Sequence, residues 1–282
     1  MICDLHNHST ASDGTLTPAQ IAEEAVRVGL SAVALTDHST VAGLPEFVQA
    51  VQKLNIEAVP GIEFSVDYNN NELHMLALFV EAENYARIEK MLETANRNSE
   101  QSKRNLVEKL KQKGYDLDYG EIRRRAHGVN INRAHIAAEM VRKGQISSIK
   151  EAFETLLDKK FGLYEEPKRL DAFEVIKEIK AMGAVSVLAH PFLNLSEAEL
   201  CKFLEKAVPC GLDGMEVFYS RYDEAATQKA VEIAAHYGIE SSGGSDFHGE
   251  NKPDISMGKG EGGLAVPYEW YLKLKAIHES RR

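Results

Sequence analysis

Two histidines near the start of the chain have the spacing of a metal-binding pair. The segment Asp4-Leu5-His6-Asn7-His8 begins as a β-strand, and alternate side chains of a strand point to the same side. His6 and His8 can therefore bind one cation through their imidazole nitrogens. Asp4 shares that side and is expected either to orient a ligand imidazole or to have a plain packing role. An isolated pair of this spacing is more often two packing or surface histidines, so a metal site needs further ligands elsewhere.

Further candidate ligands stand near the ends of the later predicted strands. In a parallel barrel the carboxyl ends of the strands converge on one face, so residues that are far apart in the sequence meet there. His74 departs from this pattern because it lies near the start of its predicted strand. The complete candidate set has six histidines and three carboxylates: His6, His8, Asp13, His38, Glu63, His74, His190, Asp246 and His248.

This ligand set is too large for one ion, which takes roughly four to six ligands. It suits two or three divalent metal ions, with a carboxylate such as Glu63 bridging a pair. Nitrogen and oxygen ligands without thiolate favour Mn²⁺, Zn²⁺ or Fe²⁺. Such ions, held about 3.5–4 Å apart, lower the pKa of bound water and offset the charge of a phosphate. The predicted reaction is therefore hydrolysis of a phosphate ester by metal-activated water.

The chain between these ligands predicts an α/β fold. Short β-rich runs alternate with helical patterns, and no Gly-rich dinucleotide turn follows the first run, which favours a closed parallel barrel over an open sheet. Thr17, Pro18 and Gln20 have the pattern of a helix start, and so do Asp171 and Glu174. The seven predicted strands are residues 2–5, 32–36, 57–61, 73–80, 184–189, 213–218 and 239–243.

The segment between the fourth and fifth predicted strands contains helical patterns and no predicted strand. We interpret residues 83–165 as a helical insertion, and residues 1–82 and 166–282 as the barrel. An insertion at the end of a barrel where active sites form would serve as a lid or substrate cap. The run Arg123-Arg124-Arg125 is more often a solvated face than a phosphate site, and the role of nearby His127 stays open.

The composition limits the partners. With 33 Lys and Arg against 43 Asp and Glu, the net charge of −10 would repel a long nucleic acid, so a short or terminal phosphate substrate fits better than a long duplex. Cys3, Cys201 and Cys210 form no C-x-x-C pair and are expected to be small buried residues in a reducing compartment. No run of about 18 apolar residues and no signal-peptide pattern occurs, which predicts a cytoplasmic protein without membrane contact.

Six short motifs, taken as an ordered set, identify a resemblance to a known family. They are His6-Asn7-His8, Ser12-Asp13-Gly14, Thr36-Asp37-His38, Gly61-Ile62-Glu63, Ala189-His190-Pro191 and Ser245-Asp246-Phe247-His248. Together they resemble the polymerase and histidinol phosphatase (PHP) superfamily across the whole predicted barrel. The resemblance implies a distorted seven-stranded (β/α)7 barrel, similar to a TIM barrel, with a trinuclear metal site.

The resemblance also implies how the ligands divide among three metals. Glu63 would be shared between the first and the second. The first metal would take His6, His8, Glu63 and Asp246, the second Glu63, His74 and His190, and the third Asp13, His38 and His248.

Within the superfamily, the chain is most similar to bacterial nucleoside 3′,5′-bisphosphate phosphatases and 5′-to-3′ exoribonucleases that act on short RNA. Asp13 stands where histidinol phosphatases tend to have histidine, and Arg133 and His135 lie in a segment that resembles the subgroup's Arg-x-His-hydrophobic-Ala. The resemblance implies that Arg133 and His135 bind the substrate phosphate and, with Asp13, take part in catalysis; a guanidinium group is well matched to phosphate oxygens. Phe192-Leu193-Asn194 departs from the subgroup's Gly-x-Tyr-like sequence, which affects the expected substrate contacts and leaves the metal chemistry unchanged.

The sequence therefore predicts a phosphoesterase for a nucleotide-sized phosphomonoester or phosphodiester, such as a nucleoside 3′,5′-bisphosphate or the 5′ end of short RNA. Two alternatives stay open: a small-metabolite phosphatase of the histidinol-phosphate type, and a non-catalytic metal-binding regulatory module. The presence of all nine candidate ligands disfavours the second alternative. A metal-dependent amide hydrolase is disfavoured because no lysine stands at the named strand ends to bridge two metals.

Overall fold

The chain folds into two compact units. The structure, a computed structural model, describes residues 1–126 and 131–282, and His127 lies outside the described residues. One unit, here called the barrel unit, comprises Met1–Glu89 and Leu170–Arg282; the other, here called the helical unit, comprises Lys90–Arg169. Among the described residues, no helix has both the length and the apolar character needed to cross a membrane.

The barrel unit is built on one sheet. Its strands are β1 (Ile2–Asp4), β2 (Ala32–Leu35), β3 (Glu57–Tyr68), β4 (Asn71–Leu78), β5 (Leu170–Asp171), β6 (Val185–Ala189), β7 (Gly214–Tyr219), β8 (Glu240–Gly244) and β9 (Val266–Pro267). They follow the order β8-β7-β6-β4-β3-β2-β1-β9, and β5 pairs beside β3. Every predicted strand is present, and β5 and β9 are short additions.

The sheet is nearly closed into a barrel because the segment after β1 reaches β8 and the segment that follows β8. The Leu5 amide donates to the Gly243 carbonyl at 3.2 Å, and the His8 amide donates to the Phe247 carbonyl at 2.9 Å. β2 and β6 are buried over their whole length, as expected for strands covered on both faces. The predicted α/β fold, a distorted TIM-like barrel, is confirmed.

One of the predicted strands contradicts the prediction of a fully parallel sheet, and the short additional strand β9 also pairs antiparallel, with β1. β4 runs antiparallel to both of its neighbours, β3 and β6. The turn before it contains only Asn69 and Asn70, whose φ angles are 53° and 61°, and a two-residue turn of this left-handed kind joins antiparallel strands. The reversal brings the start of β4 to the end of the barrel where its neighbours finish. His74 therefore pairs with Ala189, the residue before His190.

β3 is longer than predicted, so Glu63 lies inside the strand instead of following it. Phe64, Val66 and Tyr68 are buried and alternate with two half-buried polar residues. This alternation is typical of a half-buried strand, and it continues to the turn that precedes β4. The additional length places the Glu63 carboxylate well within the sheet.

The predicted helix starts are confirmed. Thr17 and Gln20 form a reciprocal capping box with Pro18 in the first turn, and Asp171 accepts hydrogen bonds from the amides of Phe173 and Glu174. The α-helices of the described residues are α1 (Pro18–Arg27), α2 (Leu44–Val51), α3 (Tyr85–Gln112), α4 (Tyr119–Arg125), α5 (Arg133–Arg142), α6 (Ile149–Ala152), α7 (Ala172–Ala181), α8 (Glu197–Cys210), α9 (Glu224–Tyr237) and α10 (Tyr268–Glu279).

The helical unit has a hydrophobic core of its own. Its described residues form helices and turns, including a π-helical turn at Phe153–Leu157. The larger members of the core are Leu106, Leu110, Leu117, Tyr119, Ile122, Ile136, Met140, Leu157 and Tyr164. The interpretation of this segment as a substrate cap stays a prediction.

The end of the chain is joined to the sheet by a partly buried ion pair. The Arg281 guanidinium binds both carboxylate oxygens of Asp213, with Nη1–Oδ2 at 2.9 Å and Nη2–Oδ1 at 2.5 Å. Asp213 also accepts from the Ser186 amide at 2.9 Å, at the start of β6. Arg282 makes an exposed pair with Glu81 instead.

We expect Arg281→Ala to lower the free energy of unfolding by about 2 kcal/mol, because a bidentate charged hydrogen bond is lost and the Asp213 carboxylate loses its cationic partner. Arg282→Ala is the matched control and should change the free energy of unfolding by less than about 0.5 kcal/mol. Urea unfolding measures the free energy of unfolding of both variants. The signal is the fluorescence of Trp270, the single tryptophan, which packs against Phe218 in the barrel unit. Equal losses in the two variants would contradict the role of the pair.

Candidate metal centre

The structure brings all nine sequence-predicted ligands together in the barrel unit. Their ligand atoms form four overlapping groups, and within each group the atoms lie within 4.8 Å of one another. The groups share members, so the nine residues form one continuous cluster, here called the ligand cluster. The four groups are His8, Asp13, His38 and His248; His6, Glu63 and His190; His6, His8 and Asp246; and His38, Glu63 and His74.

Glu63 lies at the middle of the ligand cluster and is fully buried. Its Oε1 is 2.8 Å from His74 Nδ1 and 3.2 Å from His190 Nε2. Its Oε2 is 2.8 Å from His38 Nδ1 and 3.3 Å from His6 Nε2. Each carboxylate oxygen thus faces a different set of imidazoles, which is the arrangement that a carboxylate between two cations would require.

Asp246 and Asp13 complete the cluster on either side of His8. Asp246 Oδ1 is 3.3 Å from His8 Nε2 and 3.7 Å from His6 Nε2. Asp13 Oδ1 is 3.8 Å from His8 Nδ1 and 3.2 Å from His248 Nε2. His8 thus contributes to two groups, one near each aspartate. The predicted division of ligands leaves His8 out of the group that contains Asp13, whereas the geometry places it in both.

The polar atoms of the cluster fit a set of bound cations. Buried polar atoms almost always have a hydrogen-bond partner. Among the described residues, six buried atoms of this cluster make no hydrogen bond: His6 Nε2, His8 Nδ1 and Nε2, Glu63 Oε2, His74 Nδ1 and His190 Nδ1. Cations would provide partners for these nitrogen and oxygen atoms, and Mn²⁺, Zn²⁺ and Fe²⁺ all bind mixed nitrogen and oxygen ligands.

The carboxylates of the cluster are held in their charged form. Burial alone raises the pKa of Glu63, but the facing imidazoles of His38, His74 and His6 hold that pKa well below its usual value. Burial likewise opposes ionisation of Asp246, and Lys252 and His248 lower its pKa. Ionised carboxylates are in the form that binds divalent cations, and a bound cation would take the place of the protons on the facing imidazoles.

Two residues that sequence reasoning missed hold Asp246 in place. The Tyr219 hydroxyl donates to Asp246 Oδ2 at 2.9 Å, and Lys252 Nζ lies 2.6 Å from the same oxygen. Oδ1 is thereby directed towards the histidines. The backbone φ of Asp246 is 56°, a left-handed value that costs a non-glycine residue about 1–3 kcal/mol, and such conformations concentrate at functional sites.

Sequence reasoning also missed Glu216, a fully buried carboxylate in the apolar strand β7. Its Oε1 lies 3.0 Å from His6 Nδ1, and its Oε2 accepts from the main-chain amide of His190 at 2.7 Å. The available signal was a single charged residue inside an otherwise apolar strand. Buried charges are rare unless they are paired, so that residue should have been a candidate for the site.

Asp4 has the packing role and does not orient an imidazole. It accepts from the Ser245 amide at 2.9 Å, from the Ser245 hydroxyl at 2.6 Å and from the Gly258 amide at 2.7 Å. Its one bond to His6 is to the main-chain amide, at 3.3 Å. Asp4 therefore orders the loops after β8, and Glu216 is the carboxylate that faces Nδ1 of the His6 ring.

The predicted substrate residues Arg133 and His135 lie in the helical unit, at the start of α5. Asn132 and His135 cap this helix reciprocally: the Asn132 amide donates to His135 Nδ1 at 3.2 Å, and the His135 amide donates to Asn132 Oδ1 at 3.1 Å. Arg133 Nη1 donates to the Leu157 carbonyl at 3.2 Å, and its guanidinium lies 4.3 Å from the centre of the Tyr164 ring. Their role towards a substrate stays a prediction.

The cysteines take no part in the cluster. Cys3 is buried, as predicted, and burial raises the pKa of its thiol to about 12. Cys201 and Cys210 are only partly buried, so the prediction of burial was wrong for both. They lie on α8, an amphipathic surface helix whose apolar face is filled by larger residues such as Phe203 and Leu204.

Comparison with known proteins defines the class. Residues 4–169 match the sequence profile of the PHP domain. This match covers more than half of the chain, so the chain belongs to the PHP domain family. The fold and the ligand cluster are those of a metal-dependent phosphoesterase.

Three relatives are similar over nearly the whole chain. A 5′-3′ exoribonuclease from Haemophilus influenzae is 29% identical, and the match covers 87% of this chain and 89% of the relative's chain. A phosphoribosyl 1,2-cyclic phosphate 1,2-diphosphodiesterase from Eggerthella lenta is 30% identical, and the match covers 89% of this chain and 95% of the relative's chain. A 3′,5′-nucleoside bisphosphate phosphatase from Chromobacterium violaceum is 26% identical, over 89% and 90%. The expected resemblance to exoribonucleases and bisphosphate phosphatases is thus confirmed.

A solved structure supports the same class. The crystal structure of a protein from Bifidobacterium adolescentis, described as a metal-dependent phosphoesterase, superimposes with a TM-score of 0.87. It is 27% identical, and the match covers 98% of this chain and 96% of that one. The shared fold therefore extends over nearly the whole chain.

The position of His74 provides a direct test of the cluster. We expect His74→Ala to bind at least one cation fewer per chain than the wild-type protein, because the variant removes a nitrogen 2.8 Å from the Glu63 carboxylate. His236→Ala is the control, since that histidine is exposed on α9. After the protein has been loaded with divalent metal and desalted, elemental analysis measures the metal content per chain. Equal metal content in the wild-type protein and His74→Ala would exclude His74 from the ligand set.

Proposed function

We propose that the chain hydrolyses a nucleotide-sized phosphomonoester or phosphodiester with water activated by two or three divalent cations, Mn²⁺, Zn²⁺ or Fe²⁺. The observation that carries the proposal is the ligand cluster around Glu63, in which nine nitrogen and oxygen ligands converge. Bound there, the cations would lower the pKa of water and neutralise phosphate oxygens. A non-catalytic metal-binding module would not need so many ligands.

The residues of the barrel unit hold and orient this centre. We propose that Glu63 bridges two cations, one shared with His6, His8 and Asp246 and the other with His74 and His190. A third would lie between Asp13, His38 and His248, with His8 close by. Asp13 would have a catalytic role through this third position, because its carboxylate lies 3.2 Å from His248 Nε2 and 3.9 Å from His38 Nε2.

Residues of the helical unit provide the proposed substrate contacts. Arg133 carries a planar guanidinium that binds phosphate oxygens in pairs, and the Tyr164 ring at 4.3 Å fixes its plane. The His135 ring is oriented by its capping contact with Asn132 through Nδ1. We propose that both bind a phosphate of the substrate that is distinct from the one being hydrolysed.

The substrates named for the relatives support a phosphorylated nucleotide or sugar of small size. We propose a nucleoside 3′,5′-bisphosphate or the 5′ end of a short RNA, and the net charge of −10 disfavours a long duplex. Phe192-Leu193-Asn194 follows directly after His190 and Pro191, with Leu193 exposed. This apolar surface beside a candidate ligand is compatible with a nucleobase or another planar group.

The activity itself is tested with the cation-loaded protein. It should release inorganic phosphate from a nucleoside 3′,5′-bisphosphate, and His6→Ala should lower kcat/KM by about 1000-fold, since a metal centre contributes several kcal/mol of transition-state stabilisation. His236→Ala should retain wild-type activity. If the loaded wild-type protein shows no turnover on any phosphomonoester or short oligonucleotide, the proposal fails.

A substrate panel separates the alternatives. It contains the bisphosphate, a 5′-phosphorylated short RNA, the cyclic phosphate named for the Eggerthella lenta relative and histidinol phosphate. Ratios of kcat/KM measure specificity directly. We expect the first two to be preferred; a clear preference for histidinol phosphate would favour the small-metabolite alternative.

The role of Arg133 is tested by its substitution. We expect Arg133→Ala to lower kcat/KM for the bisphosphate by about 10- to 100-fold, equivalent to one or two charged hydrogen bonds, and to have a smaller effect on a substrate with one phosphate. Arg97→Ala, at an exposed position of the same unit, is the control. An equal loss for both substrates would show that Arg133 does not bind a second phosphate.

A further inference from the structure

Beyond the ligands themselves, we infer that Glu216 is a positioning residue that couples two of them. Its carboxylate is fully buried, and its two oxygens have different partners: the His6 ring and the His190 main chain. One side chain on β7 thus joins the ligand that follows β1 to the ligand that follows β6. This inference rests on the proposed metal centre and concerns how its ligands are held.

The contact with His6 sets the tautomer of that ring. Glu216 Oε1 lies 3.0 Å from Nδ1, so Nδ1 carries the hydrogen and donates it. Nε2 then presents its lone pair towards Glu63 Oε2, 3.3 Å away, and Asp246 Oδ1, 3.7 Å away. A carboxylate behind a ligand imidazole also makes the imidazole a stronger ligand.

The contact with His190 holds a strained piece of backbone. The φ of His190 is 29°, in the left-handed region that non-glycine residues seldom adopt because it is strained for them. A hydrogen bond from a main-chain amide to a charged acceptor is stronger than one to a neutral acceptor, so it can offset that strain. The distance between the His190 amide nitrogen and Glu216 Oε2 is 2.7 Å. The His190 ring is thereby kept with Nε2 3.2 Å from Glu63 Oε1.

Both hydrogen bonds of Glu216 converge on the same side of the cluster. His6 and His190 belong to one group with Glu63, whereas the group of His8, Asp13, His38 and His248 contains neither of its partners. A purely structural carboxylate would change stability and leave cation affinity alone. A positioning carboxylate changes the affinity of one part of the cluster more than the other.

The test measures cation binding and folding separately. Glu216→Gln keeps the shape of the side chain but has one acceptor oxygen, so it cannot receive both hydrogen bonds. We expect stepwise Zn²⁺ titration by calorimetry, with a competing chelator, to show a 10- to 100-fold loss of affinity in the steps that involve His6 and His190, and an unchanged affinity in the remaining step. Arg281→Ala, which weakens the same unit without contacting a ligand, should keep wild-type affinity in every step.

A second variant and a spectroscopic signal make the result decisive. Glu216→Asp keeps the charge but is one methylene shorter, and it should lose affinity in the same steps; it replaces Glu216→Gln if that protein does not fold. In ¹⁵N spectra of the Zn²⁺-loaded wild type, His6 should carry its proton on Nδ1, and the signal should change in the variants.

Wild-type affinity in the folded Glu216 variants, or an equal loss in Arg281→Ala, would overturn the inference. No Zn²⁺ binding by the wild type would instead refute the metal centre itself.

Discussion

The fold has to keep six imidazoles and three ionised carboxylates together in the interior of the barrel unit. Burying charge is costly unless opposite charge or good hydrogen bonds accompany it. Glu63 shows the constraint most clearly, because it is fully buried and contacts imidazoles through both of its oxygens. In the absence of cations this arrangement leaves buried nitrogen and oxygen atoms without hydrogen bonds. Bound cations would supply the missing partners, and the surrounding structure is organised around that need.

The sheet satisfies this need through strand direction and loop anchoring. Because β4 is reversed by a two-residue turn, its first residues lie beside the ends of the neighbouring strands. Buried carboxylates that are not candidate ligands then hold the loops: Asp4 binds the loops after β8, and Asp37 accepts from the Ser9 amide at 2.7 Å and the Ser12 hydroxyl at 2.6 Å. The ligand-bearing segments are thereby fixed by hydrogen bonds that do not use the ligands themselves.

The sequence was informative wherever a local pattern determined the structure. Strand alternation, the capping box at Thr17 and the spacing of His6 and His8 all depend on neighbouring residues, and they predicted the strands, the helix starts and the candidate ligands. The direction of β4 depended on the backbone conformation of Asn69 and Asn70, and the prediction of a parallel sheet missed it. Glu216 was missed because its partners are far away in the sequence, one of them separated by 210 positions. Such contacts exist only after the barrel has closed.

The central claim is that Glu63 bridges cations inside this ligand cluster. A crystal structure of the Mn²⁺-loaded protein, with anomalous scattering recorded for the metal, tests it most directly. We expect at least two anomalous peaks, about 3.5–4 Å apart, on either side of the Glu63 carboxylate. A single peak, or peaks away from Glu63, would contradict it.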